Sequence, residues 1–139
     1  MARARFLARD QHLLNVKASE RSITHKFAEA LQQVFQDWHV DCEYNRVSYD
    51  SINPKKLEQW ARMHKRKTPR VYPDIIMHRR GEGCNAIAFE GKRSTATEDS
   101  IGADRAKLQA FKHELDYEFA VQLIFTVGSD SNISWEFVD

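Results

Sequence analysis

Residues 117–128, YEFAVQLIFTVG, form a nearly continuous run of apolar, strand-forming side chains. This run limits the folds open to the chain more than any other segment. A strand with one wet face alternates apolar and polar residues, whereas an unbroken run has both faces covered. The chain must therefore pack material on both sides of a sheet. Two amphipathic segments supply it. Residues 20–38, ERSITHKFAEALQQVFQDW, set Ile23, Phe27, Ala30, Leu31, Val34 and Trp38 at helical spacing behind Ser19 as N-cap. Residues 101–116, IGADRAKLQAFKHELD, place Leu108, Phe111 and Leu115 on one side of a second helix.

The remaining elements fall between these. VDCEYNR, residues 40–46, alternates Val40, Cys42 and Tyr44 with polar residues and predicts a strand. NPKKLEQWARMHK predicts a short helix opened by Pro54, with Leu57, Trp60 and Ala61 facing inward. Residues 71–78 and 85–92 read as a hairpin, NISWEFVD as a shorter last strand, and the first dozen residues as a further helix. The order α, β, (α), β, β, α, β, β predicts an α/β fold, a mixed sheet flanked by helices. At 139 residues the chain suits one domain spanning 1–139, large enough for a real core. Phe89, Phe111 and Phe125 are core candidates with Trp38 and Trp60, although Trp60 lies close to basic residues and could stack on a base.

Several function classes recede. No apolar run approaches the roughly 20 residues that span a bilayer, and MARARFLARDQHLL lacks a long apolar stretch and a small-residue cleavage site. A cytoplasmic protein with no membrane partner is expected. Cys42 and Cys84 are far apart with no CxxC pairing, and the histidines, His64 and His78 among them, form no zinc-type ligand set. The net charge of +1 says little, but its distribution says more. RMHKRKTPR, residues 62–70, packs five Lys and Arg into nine positions without an acid, and Arg79, Arg80, Lys92 and Arg93 follow. Such a run leading into the hairpin points to a phosphate-rich partner.

The hairpin, VYPDIIMHRRGEGCNAIAFEGKRS, carries charge where a half-buried strand should avoid it: Asp74, Glu90 and Lys92. If it closes around RRGEGC with residue 78 opposite 86, paired numbers sum to 164 and Asp74 falls opposite Glu90. Asp74, Glu90 and Lys92 then share one face. Adjacent carboxylates repel unless a cation lies between them. A hard dication such as Mg²⁺ meets that need, since it accepts one or two carboxylates plus waters. Two acids, a lysine, a dication and a water are the parts for phosphodiester hydrolysis.

Pro73–Asp74 followed by Glu90-Gly91-Lys92 resembles the signature of the PD-(D/E)XK nuclease superfamily, which includes restriction endonucleases and Holliday-junction resolvases. The predicted element order is similar to that superfamily's αβββαβ core, which would cover about residues 19–127 and leave an extra C-terminal strand. The resemblance implies a Mg²⁺- or Mn²⁺-dependent endonuclease acting on DNA, with no organic cofactor. Asp74 and Glu90 would hold the metal, the Gly91 carbonyl would add a donor, and Lys92 would position or activate the attacking water. It also implies an acid from the first helix, Glu20 ahead of Glu29, and a polar residue from the helix after the second motif, Lys107 or else Gln109. His25 would face the site or pack, and Glu43 with Arg46 would support the site or form a surface pair. Lys65, Arg66, Lys67, Arg70, Arg79, Arg80, Arg93 and Lys107 would hold the phosphate backbone. Cutting both strands would call for a homodimer, with the last strand and the N-terminal segment as its surfaces. A non-catalytic nucleic-acid-binding or assembly module on the same fold, or an RNA-specific nuclease, are the rival expectations.

Overall fold

The computed structural model describes residues 1–43 and 72–139. Three helices and five strands lie among them: α1 (Ala2–Asn15), α2 (Glu20–Val34), β1 (His39–Cys42), β2 (Ile75–Arg79), β3 (Cys84–Arg93), α3 (Glu98–Leu115), β4 (Phe119–Thr126) and β5 (Asn132–Phe137). The predicted helix around Pro54, Trp60 and the basic residues Lys65, Arg66, Lys67 and Arg70 lie outside the described residues, as do Tyr44 and Arg46.

The strands form one mixed sheet in the order β1-β2-β3-β4-β5. Only β3 and β4 run parallel, and α3 connects them. The other neighbours are antiparallel. Helices cover both faces, as the apolar run at 117–128 requires. On one face, Phe6, Leu14, Ile23, Phe27 and Leu31 of α1 and α2 pack against Ile75, Phe89, Val121, Leu123, Phe125 and Ile133. On the other, Leu108 and Phe111 of α3 close over Ile76, Ala88 and Ala120, with Tyr117 and Val138 completing the cluster. The result is an α/β fold of three layers.

Local chemistry sets the element ends. The Ser19 hydroxyl accepts from the Ser22 N–H at 3.2 Å and starts α2. Thr97 does the same for α3 through Ser100 N–H at 3.1 Å, so that helix begins three residues before the predicted Ile101. Helix α2 stops at Val34, short of the predicted residue 38, and Trp38 instead stacks on Arg79, 4.4 Å from its guanidinium carbon.

The hairpin differs from expectation in one particular. Ile75, Ile76 and Met77 pair with Phe89, Ala88 and Ile87, all summing to 164, but His78 pairs with Asn85 rather than residue 86. A bulge between Met77 and His78 absorbs Ala86. The turn beyond it needs two left-handed residues, and Gly81 and Gly83 supply them at φ 75° and 66°. The bulge lies toward the turn, so the end of the hairpin carrying Asp74 and Glu90 keeps the expected register.

Candidate functional site

The site lies where β3 ends, between α2 on one side of the sheet and α3 on the other. Along β3 the parity that puts Ala88 under α3 also puts Glu90 and Lys92 there. Asp74, one residue before β2, shares that parity and sits where the register would place it opposite Glu90. Its Oδ2 accepts a hydrogen bond from the Gly91 N–H at 2.9 Å, which ties it to the strand bearing the second acid. The structure thus brings Asp74, Glu90 and Lys92 to one end of one sheet face.

Glu90 is only 2% exposed. Burial is the chief reason its carboxyl is pushed well above the usual range, and the Asp74 charge pushes it further; the nearby Lys107 ammonium opposes both. Lys107 Nζ stands 2.8 Å from Glu90 Oε1 as an ion pair. Across the parallel register, buried Gln122 faces Glu90 and donates to the Glu90 carbonyl at 3.1 Å.

Lys92 points to two acids on separate helices: Asp104 Oδ2 of α3 at 3.6 Å and Glu20 Oε1 of α2 at 3.7 Å. Burial lowers the Lys92 ammonium's affinity for its proton, but Asp104, Glu20 and Asp74 together outweigh it and hold the pKa above the ordinary value. Burial raises the Asp104 carboxyl, with Lys92 and Lys107 only partly offsetting it. Glu20 reaches the strand end as well, its Oε2 accepting from the Arg93 N–H at 3.2 Å.

Gly91 makes this convergence sterically feasible. A Cβ there would lie 2.6 Å from Phe125 Cε2 and 3.3 Å from Thr24 Oγ1, so only glycine lets α2 sit close enough to bring Glu20 to the strand end. Glu20 and Asp74 border a cleft of about 330 Å³ that is also lined by Arg21, Thr24, His25, Cys42 and Glu43.

The other expected positions divide. His25 is exposed and lines that cleft rather than packing in the core, and Glu43 lines it too, whereas Glu29 pairs with Lys26 at 3.2 Å and lies 3.4 Å from His25. Glu43 pairs with Arg21 at 2.9 Å, and Gln109 is exposed. Arg79 and Arg80 stand at the far end of β2 from Asp74. Both Asp41 oxygens engage Arg80, with Nε at 2.9 Å from Oδ2 and Nη2 on Oδ1, and His78 Nε2 adds a contact at 2.7 Å. Partial burial would raise the Asp41 carboxyl, but His78 and Arg80 hold it far below the usual range. Cys42 and Cys84 are free thiols. Partial burial, and after it the charges of Glu43, Asp41 and Asp74, push Cys42 up to about 11, where a thiol is inert.

Asp104 and Gln122 are site residues that the sequence reading missed. Asp104, Lys107, Leu108 and Phe111 fall at i, i+3, i+4 and i+7, so the face that buries Leu108 also carries the acid. Gln122 is the sole amide within the apolar run at 117–128.

Among the described residues, no group of three His, Cys, Asp or Glu side chains is arranged to hold a metal ion. The supply of oxygen donors nevertheless fits a dication. Glu20, Asp74, Glu90 and Asp104 bring four carboxyl groups to the strand end, against the ammonium groups of Lys92 and Lys107. Two neighbouring carboxylates suit Mg²⁺, which needs few protein ligands. No family model, no curated protein and no solved structure matches the chain.

Proposed function

We propose that the protein is a Mg²⁺- or Mn²⁺-dependent nuclease that hydrolyses phosphodiester bonds in DNA, on a restriction-endonuclease-like core. One observation carries the reading: Asp74, Glu90 and Lys92 converge at the end of β3, with Glu20 and Asp104 beside Lys92. The order α2, β1, β2, β3, α3, β4 supports the fold assignment.

Asp74 and Glu90 would hold the metal, with Glu20 and the Gly91 carbonyl as further oxygen donors. When bound, the metal supplies positive charge that acidifies water and offsets charge on the phosphate. Lys92 does the rest from the protein side. Asp104 and Glu20 keep its ammonium protonated and fixed. A lysine held charged orients the attacking water and stabilises phosphate oxygens; it does not remove a proton. Arg93, at the end of the same strand, and Lys107 would hold the phosphate backbone. Cutting both strands would use two copies. The exposed Trp135 and Phe137 on the sheet's edge strand, beside the N-terminal residues of α1, offer a surface for pairing.

The test is cleavage of supercoiled and branched DNA with Mn²⁺, with and without EDTA. Cleavage should need the metal and be lost in Asp74→Asn and Lys92→Ala. If neither DNA nor RNA is cut at any metal concentration while binding persists, the fold serves as a non-catalytic binding module. The Glu90–Lys107 pair is the observation that favours this second reading, because it occupies a proposed metal ligand.

A further inference from the structure

We propose that Lys107 is a tethered counter-ion, which holds the Glu90 carboxylate in the metal-free protein and gives it up to a divalent cation when one binds. The inference rests on the reading of Asp74 and Glu90 as metal ligands, and it assigns a step to a residue on α3. Glu90 is the most enclosed of the four acids, and a second carboxylate stands near it. Whenever it is ionised, a carboxylate in that position needs a cation beside it. Lys92 is turned to Asp104 and Glu20, so the ammonium on Glu90 itself is that of Lys107, at 2.8 Å from Oε1.

That contact and a metal bond compete. Mg²⁺ binds oxygen at about 2.0–2.1 Å, and a dication on Oε1 would sit against the ammonium with strong repulsion. Lys107 can leave. Its side chain keeps about 20% of its surface exposed, and it stands on a flexible four-carbon stem. Lys92 is differently placed, bridging acids from α2 and α3, and the exchange leaves it undisturbed. The displaced ammonium stays on the same helix face beside the site, where an incoming phosphate would meet it. One lysine thus serves as stand-in for the metal before binding and as phosphate contact after it.

The test is calorimetric titration of Mn²⁺ into the full chain as wild type, Lys107→Met and Lys107→Arg. Removing a charge-assisted competitor should tighten Mn²⁺ binding by about tenfold to a hundredfold in Lys107→Met, while Lys107→Arg binds no tighter than wild type. Metal-free Lys107→Met should melt below wild type, and saturating Mn²⁺ should close that gap. Equal or weaker Mn²⁺ binding by Lys107→Met overturns the exchange and leaves the nuclease reading standing. A stability loss that Mn²⁺ does not restore marks a fixed clamp between α3 and β3 and also overturns it. No Mn²⁺ binding by either wild type or Lys107→Met removes both readings together. If Lys107→Met fails to fold, Lys107→Gln meets the same criteria.

Discussion

Replacing Gly91 with alanine tests how the two helix layers meet at the site. The added Cβ would stand 2.6 Å from Cε2 and 3.0 Å from Cζ of Phe125, and 3.3 Å from Thr24 Oγ1. Neither neighbour can yield easily. Phe125 is fully buried and packs edge-on against Phe27 at 6.3 Å between ring centroids, and Thr24 is buried on α2. An extra methyl in such a place costs about 1–3 kcal/mol. In a domain of this size each kcal/mol lowers Tm by roughly 3–5 °C, so Tm should fall by roughly 3–15 °C. The site should suffer separately. A shift of α2 carries Glu20 away from the Arg93 N–H and from Lys92, and misplacement by about 1 Å can cost on the order of 10²-fold in rate. Thermal melts and DNA cleavage well below the variant's Tm measure the two effects apart. Gly102→Ala is the control, because nothing lies within 4 Å of its added Cβ; at an exposed helical position it should gain about 0.5–1 kcal/mol. A Gly91→Ala melt within about 1 °C of wild type would refute the crowding. Full cleavage by a destabilised Gly91→Ala would refute the claim that α2 sets the site.

Burial of Glu90 and exposure of the edge strand lead to two more expected outcomes. Glu90→Gln should stabilise the metal-free protein at neutral pH, because the folded state raises the Glu90 pKa above its ordinary 4.5 and so disfavours the ionised form. The sign fixes the profile: in EDTA the variant and wild type should agree below about pH 4.5, diverge as pH rises from there toward the folded-state value and keep a constant gap above it, and a gap independent of pH throughout would contradict it. Sedimentation should show wild type as a dimer at micromolar concentration and Trp135→Glu as a monomer, since Trp135 and Phe137 project from the edge strand of the sheet among the described residues. A monomeric wild type would remove the pairing surface.

The sheet and its layers were legible because each rests on a local signal. The unbroken run at 117–128 demanded cover on both faces, and the stripes through Ile23–Leu31 and Leu108–Phe111 supplied it. The approach of Asp74 to Glu90 was legible for the same reason, as register is a matter of parity. Other features were not. The bulge at His78 answers to the turn geometry of Gly81 and Gly83, which a simple sum rule ignores. Asp104 went unread because its role depends on Lys92, twelve residues away on another element. The neutralisation of Arg80 by Asp41 likewise depends on β1 lying beside β2, a tertiary fact that charge counting along the chain does not contain.

Four consecutive residues show why so small a motif can organise a site. Alternation sends Glu90 and Lys92 toward α3, where Lys107 and Asp104 meet them. It turns Gly91 toward α2, where the missing side chain leaves room for Thr24 and Phe125. The Arg93 N–H then meets Glu20, and the Gly91 N–H meets Asp74. Each position has a different partner on a different element, so a slip of β3 by one residue would exchange them all at once. Glu90 would face α2 and lose Lys107, and a side chain would enter the space that Gly91 leaves. The gathering of carboxyl groups that suits a dication is therefore a property of strand register, held by the same packing that makes the core.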